Sequence, residues 1–314
     1  MNVLVAIYSE FRSWCIPADA FGRLRDMFPE YRFVRADSDE ETLARVGDAE
    51  IVFGSRLRPE HLAAAKRLRW VHSPAAGVGN MLFPEMTASQ VTMSNSRGNS
   101  AGTIAEHVVA VTLALFRDLP LAGRRQAART WAQDEFNAGV SIRRLHGARM
   151  LVVGYGSIGS EVGRLASALG AHVVGLRRKD AGRLHEEIPL ADVVVLSAPQ
   201  TSETTHLIGE RELSMMKRDS VLVNVSRGKL VDEDALVRAL PRGPLRGAAL
   251  DVFEHEPLAK DSPLWSMPNV LITPHVSGFH ADYWRDAIEL FADNLRRFSA
   301  GEPLRNAVDK AAGY

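Results

Sequence analysis

Cysteine is almost absent. Cys15 is the single one among 314 residues, which excludes an intrachain disulfide and any metal site built on a cysteine cluster. An excess of either charge is also missing: Lys plus Arg and Asp plus Glu are both 38. A protein that grips a polyanion carries a basic surplus, so nucleic acid is not an expected partner. No uncharged apolar run approaches the roughly 18 residues that cross a bilayer, so neither is a membrane. The opening "MNVLVAIYSE" lacks a basic segment followed by a long apolar run and reads as a first strand rather than a secretory signal. Repeats and low-complexity segments are lacking too. What remains, 46% hydrophobic and 24% charged residues, is the composition of a globular protein with length enough for two domains. A cytoplasmic setting is the expectation.

What is present is alternation. "NVLVAIY", "RFVRA", "EIVFGS", "RWVHS" and "VTMSN" read as strands in the first hundred residues. Between them, "PADAFGRLRDMF", "DEETLARVG" and "RPEHLAAAKRL" have helical patterning. After a long helix over about 100–118 the alternation restarts with "ARMLVVGYG", "AHVVGLR", "DVVVLSA", "SVLVNVS", "RGAALDVF" and "NVLITPH". These runs are apolar on both faces, as parallel strands between two helical layers must be, and two rounds of βαβ alternation predict an α/β protein with two doubly wound sheets. The Arg-rich segment 119–147, with Trp131 and Phe136, fits neither sheet and reads as an arm that packs on a second subunit. The last helical stretch, from Tyr283, can return the chain to the first domain.

A further absence lies inside a motif. Strand "MLVV" runs into Gly154-Tyr155-Gly156-Ser157-Ile158-Gly159 and then a helix, the context of a dinucleotide-binding turn. Gly154 allows the tight turn, Gly156 lets the backbone approach a pyrophosphate, and Gly159 lets helix and strand pack closely. An acid normally follows at the end of the next strand and holds the ribose hydroxyls of NAD. Here the place reads Arg177-Arg178-Lys179. Arginine pairs its planar fork with phosphate oxygens, so this pocket is expected to prefer NADP(H), with NAD(H) second.

Three more stretches with candidates stand at the ends of later strands, where open α/β sheets collect ligands: Arg227 in "VLVNVSRG", Asp251 and Glu256 in "AALDVFEHEPL", and His275 in "VLITPHVSG". Hydride transfer to a ketone leaves negative charge on its oxygen, so a proton donor and a fixed cation have to face it. His275 suits the proton, Glu256 its orientation, and Arg227 the substrate carboxylate and carbonyl. In the first domain, the small-residue loop "HSPAAGVGN" offers the backbone N–H groups of Ala76 and Gly77 to a carboxylate. Arg56, after another strand, adds positive charge.

Together "NSAGTIAEHVVA", "GYGSIG", "NVSRGKLVDEDAL", "GAALDVFEHEPL" and "SPLWSMPNVLITPHVSG" resemble the D-isomer-specific 2-hydroxyacid dehydrogenase family over nearly the whole chain. The resemblance implies a Rossmann-type cofactor domain, 100–285 with the arm 119–147, inserted into a flavodoxin-like substrate domain, 1–99 plus 286–314, in a homodimer. It implies that Arg227, Glu256 and His275 are the catalytic set, that Thr103 lies near the nicotinamide, and that Asp251 holds the carboxamide. Ser157, Ile158, Pro199 and Ser226 complete the implied cofactor contacts. The basic stretch resembles the glyoxylate/hydroxypyruvate reductase branch, hence NADP(H)-dependent reduction of a small 2-oxo acid to the D-2-hydroxy acid. Glu256 favours this over formate oxidation, for which the family pairs its histidine with glutamine. A phosphoglycerate-type or other 2-hydroxyacid dehydrogenase, or a non-catalytic NADP-sensing protein on this fold, are the alternatives. No metal is expected.

Overall fold

The computed structural model describes residues 1–137 and 142–313; positions 138–141 of the arm and Tyr314 lie outside the described residues. The chain forms two compact units, Met1–Asn99 with His280–Tyr314, and Ser100–Phe279.

The first unit holds five strands: β1 (Asn2–Ala6), β2 (Arg32–Arg35), β3 (Ile51–Gly54), β4 (Trp70–Ser73) and β5 (Thr92–Asn95). They pair in parallel in the order β2-β1-β3-β4-β5, the flavodoxin-like winding. Because side chains alternate along a strand, β1 feeds two cores. Val3 and Val5 meet Phe53, Trp70 and Phe291 on one face, while Leu4 and Ala6 meet Val52, Val71 and Met81 on the other. Phe291 belongs to the helix Tyr283–Ala300, and its ring stacks 4.2 Å from Phe53 and 5.3 Å from Trp70. That apolar face ties the end of the chain to the first sheet. The unit's C-terminal portion begins at His280 rather than 286, because Tyr283 is buried beside Trp14 and donates its hydroxyl to the Pro74 carbonyl at 3.0 Å.

The second unit opens with the helix Ala101–Phe116 and holds β6 (Arg149–Val153), β7 (His172–Leu176), β8 (Val193–Leu196), β9 (Ser220–Asn224), β10 (Leu245–Leu250) and β11 (Val270–Ile272). All pair in parallel, in the order β7-β6-β8-β9-β10-β11. The side of β6 that starts the winding carries one strand, where a full Rossmann sheet carries two. After β7 the chain passes through short helical turns over Arg178–Leu190 straight to β8. β8 is buried on both faces: Val193 and Val195 pack with the helices Ala101–Phe116 and Ser157–Ala168, and Val194 and Leu196 with the opposite layer. The arm contains the helices Leu119–Ala127 and Gln133–Asn137.

Candidate active site

The glycine turn sits where the winding reverses, at the carboxyl end of β6. Gly154 has φ +96°, a conformation that L side chains rarely adopt, and a β-carbon there would lie 2.3 Å from the Ala198 nitrogen. The N–H groups of Gly154 and Tyr155 both donate to the Leu176 carbonyl at 2.9 Å, which ties the turn to β7. At Gly159 a β-carbon would meet the Gly154 carbonyl at 2.4 Å, so helix and strand touch there. Gly156 differs. Nothing lies within 4 Å of its missing β-carbon, and it caps the helix Ser157–Ala168 without a side-chain hydrogen bond. Its neighbour Ser157 is exposed and Ile158 half-buried. An open approach over an uncapped helix N-terminus fits a pyrophosphate.

Arg177 follows β7 and is exposed; its Nε donates to the Tyr155 carbonyl at 3.1 Å, so the guanidinium is fastened to the glycine turn. The acid that comes next, Asp180, accepts the Arg177 N–H at 3.1 Å and serves the backbone. Arg178 is ion-paired with Glu203 at 2.7 Å. Pro199, exposed after β8, accepts from the Thr204 hydroxyl at 2.7 Å. Ser226 is buried and its hydroxyl donates to the Ala198 carbonyl, joining the loops after β8 and β9. Thr103 is half-buried in the first turn of the helix Ala101–Phe116.

The next three strand ends bring Arg227, Glu256 and His275 into one electrostatic group. Glu256 accepts from His275 Nδ1 through Oε2 at 2.7 Å and from the Phe253 N–H through Oε1 at 3.0 Å. Burial would raise the Glu256 pKa, but the hydrogen bond and charge of His275, the Phe253 N–H and the Arg227 charge together hold it below the usual range. Arg227 is shifted down by burial, with the Glu256 charge opposing, and its Nη1 donates to the Ser226 carbonyl at 2.6 Å. His275 has φ +53°, a left-handed conformation that its surroundings must enforce. Asp251 does so. Its carbonyl accepts the His275 N–H at 2.8 Å, and its buried carboxylate accepts from Thr273 Oγ1, Val276 N and Ser277 N at 2.5, 3.0 and 3.0 Å. Asp251 therefore organises the loop that carries His275, beyond the carboxamide contact that resemblance implies.

Several participants escape a reading by residue type. Asn224, buried at the end of β9, donates to the Arg227 carbonyl at 2.9 Å and accepts the Ser226 N–H at 3.1 Å, which staples the arginine's turn. At Gly228 a β-carbon would fall 1.8 Å from the Phe253 carbonyl carbon, so the loops bearing Arg227 and Glu256 abut there. His107 Nε2 lies 3.4 Å from Thr273 Oγ1, extending the Asp251 network to the helix Ala101–Phe116. The glycine and the asparagine stand within "NVSRG" and could have been marked by that position. His107 and Glu203 carry no local signal, because their partners are far away in sequence.

In the first unit, Arg56 is exposed just after β3, and Ala76 and Gly77 lie exposed and half-buried after β4. Asn95 Nδ2 donates to the Ala76 carbonyl at 2.7 Å, the Ser96 N–H to Ala75 at 3.2 Å, and Ser96 Oγ to Ser73 at 3.0 Å. Beneath this loop His72 is fully buried, with Nδ1 2.7 Å from Ser94 Oγ and Nε2 3.4 Å from Ser96 Oγ. Burial holds its pKa at about 3.

Residues 109–277 match the family model described as D-isomer specific 2-hydroxyacid dehydrogenase, NAD binding domain. The glyoxylate reductase of Korarchaeum cryptofilum is 33% identical over 287 residues, 87% of this chain and 86% of that protein. The D-3-phosphoglycerate dehydrogenase of Methanocaldococcus jannaschii is 30% identical over 285 residues; this is 86% of the chain but 53% of that protein, about half its length. Among solved structures, a D-isomer specific 2-hydroxyacid dehydrogenase from Xanthobacter autotrophicus Py2 in complex with NADPH and MES aligns with a TM-score of 0.86 at 28% identity, over 100% of this chain and 99% of that one. With the glycine turn, the strand-end set and these likenesses in agreement, the chain belongs to the D-isomer specific 2-hydroxyacid dehydrogenase family and is an oxidoreductase with an NAD(P)-binding domain.

Proposed function

We propose that this protein reduces a small 2-oxo acid of the glyoxylate or hydroxypyruvate kind to the D-2-hydroxy acid, with NADP(H) ahead of NAD(H). The observation that carries the reading is the 2.7 Å hydrogen bond between Glu256 and His275 Nδ1, beside Arg227 and on the sheet that bears the glycine turn. A sensor has no use for such a proton donor. With Nδ1 held by an ionised Glu256, Nε2 is the nitrogen that delivers the proton to the developing alkoxide. Arg227, half-buried and cationic, holds the substrate carboxylate and stabilises the negative charge on the oxygen. The nicotinamide, when bound, supplies the hydride. Gly154, Gly156, Ser157, Ile158 and Gly159 would hold its pyrophosphate, Arg177 and Arg178 the 2′-phosphate, and Thr103, Pro199, Ser226 and Asp251 the nicotinamide end.

In the first unit the loop at Ala76 and Gly77 is a carboxylate cradle: its carbonyls are drawn back by Asn95 and Ser96, which presents its N–H side, and Arg56 adds charge. We further propose a homodimer built on the arm, since Trp131 and Leu119 are 91% and 55% exposed in the single chain. Light scattering tests this, and a monomer at micromolar concentration would refute it. No helix among the described residues is long and apolar enough to cross a membrane, and a lone thiol suits a reducing cytoplasm. The function is tested by following NADPH absorbance against a panel of 2-oxo acids, 3-phosphohydroxypyruvate included. A kcat/KM highest for glyoxylate or hydroxypyruvate supports the reading; activity confined to the phosphorylated acid, or none with any, overturns it.

A further inference from the structure

The cofactor sheet lacks the acid that normally follows its second strand, yet an acid reaches the same place from elsewhere. Glu203 lies in the loop after β8, and its Oε1 is 2.7 Å from Arg178 Nη2 in the segment after β7. β7 and β8 are the two neighbours of β6, whose carboxyl end carries the glycine turn. The ion pair therefore bridges the mouth of the switch point, where a dinucleotide enters an open α/β sheet. The loop that presents Glu203 is braced from within. Thr204 Oγ1 donates to the Pro199 carbonyl at 2.7 Å and accepts the Thr201 N–H at 2.7 Å, while the Thr205 N–H donates to the Thr201 carbonyl at 3.0 Å.

The two arginines are thus not equivalent. Arg177 is fastened to the Tyr155 carbonyl through Nε, within the turn that a pyrophosphate approaches. Arg178 is engaged by a carboxylate, with both side chains about two-thirds exposed, at 67% and 62%. A phosphate on the 2′ position has to take Arg178 from Glu203 and lie close to that negative charge. An unphosphorylated ribose has neither problem.

We propose that Glu203 is a specificity-determining residue that competes with the 2′-phosphate for Arg178 and so limits the preference for NADP(H) over NAD(H). The inference rests on the reading of Arg177 and Arg178 as the 2′-phosphate site. An exposed ion pair is weak and salt-screened, so the expected effect is modest, about two- to fivefold in affinity at low ionic strength.

The test is direct binding, independent of turnover. Dissociation constants for NADP+, NAD+ and adenosine 2′,5′-bisphosphate are measured by calorimetry on the full-length protein and its E203Q, R178Q, R177Q/R178Q and E203Q/R178Q variants. E203Q is expected to tighten NADP+ and the bisphosphate severalfold, leave NAD+ unchanged, and have no effect in the R178Q background. High salt is expected to shrink the difference. If R177Q/R178Q weakens NADP+ but E203Q leaves it unaltered, the competition is disproved while the phosphate site stands. If E203Q instead weakens NAD+, Glu203 is itself the ribose acid and the proposal falls. If R177Q/R178Q leaves NADP+ binding intact, both the phosphate site and the competition are wrong.

Discussion

The two sheets are wound alike through five strands, β2-β1-β3-β4-β5 against β7-β6-β8-β9-β10, and differ at the end of the strand where each winding begins. In the second sheet β6 passes through Gly154 and Gly156 directly into the helix Ser157–Ala168, leaving an uncapped helix N-terminus over open space. In the first, β1 is followed by Ile7-Tyr8-Ser9-Glu10-Phe11 and a short 3₁₀ turn, Arg12–Trp14, before any longer helix begins. Equal topology does not give equal sites. The winding supplies a crevice, and the residues at the strand ends decide what it can hold.

The largest expected effect breaks this comparison if it fails. If His275 is the proton donor of the second sheet, as proposed, His275→Ala should lower kcat by about 10²–10⁴-fold while NADPH binding, read by fluorescence titration, persists. Full activity would show that the chemistry lies elsewhere. Next come the glycines. Gly154→Ala forces a β-carbon to 2.3 Å from the Ala198 backbone at φ +96°, which should destabilise the second unit by about 2–4 kcal/mol and abolish dinucleotide binding. In the first sheet, at the end of β3, Gly54→Ala meets atoms at 3.0 and 3.1 Å and should cost about 1 kcal/mol. Denaturant titration of both variants ranks them, and equal losses would show that the close approach at Gly154 costs no more than ordinary crowding.

The eleven strands among the described residues were legible because a parallel strand between helical layers is largely apolar on both faces, a pattern that short β-branched runs such as Val193–Leu196 display openly. Their order was not. Whether β7 has an outer neighbour depends on where the chain goes after Arg178, and local patterning is silent on that. The return of the chain at His280 rather than 286 hinges on Tyr283 reaching Pro74, 209 positions away. The Arg227, Glu256 and His275 set was legible from chemistry and strand position. Of the groups that hold it, Asn224 was marked only by its place in "NVSRG", while Thr273 and His107 were not legible, since a polar side chain reveals its partner only after folding.

The units should also part in acid. His72 is buried in the first unit with its pKa at about 3, against 6.5 for the unfolded chain. Its contribution to stability is complete above pH 6.5 and is lost as the pH falls toward 3, because the unfolded state binds the proton first. Between pH 6.5 and 4.5 this removes about 2.3 kcal/mol. In the second unit, burial likewise lowers the pKa of His107, but the Asp251 charge opposes the shift, and the depressed Glu256 acts only below its unfolded pKa of 4.5. Amide exchange, corrected for intrinsic rate, should therefore show β4 and β5 losing protection at pH 4.5 before β8 and β9. Uniform loss across both sheets would sink this.

The smallest effects are the most discriminating, because each sheet ends one strand in a buried asparagine that braces a loop with both amide atoms. Asn224 donates to the Arg227 carbonyl at 2.9 Å and accepts the Ser226 N–H at 3.1 Å. Asn95 donates to the Ala76 carbonyl at 2.7 Å and accepts the Arg97 N–H at 3.2 Å. Replacing either by alanine removes two hydrogen bonds and strands their backbone partners, a loss of about 1–3 kcal/mol. The thermodynamic injury is similar, but the kinetic one should not be. If Arg227 chiefly stabilises charge that develops during reduction, Asn224→Ala loosens a group needed most in the transition state, and kcat should fall about tenfold, with a smaller rise in KM from the weakened carboxylate contact. If the Ala76 loop holds a carboxylate already present in the ground state, Asn95→Ala removes uniform binding, so KM for the 2-oxo acid should rise by a similar factor while kcat holds. A kcat loss in both variants would make the Ala76 loop part of the charge-stabilising machinery. A pure KM effect in both would remove Arg227 from it, and the division of labour between the two sheets would have to be redrawn.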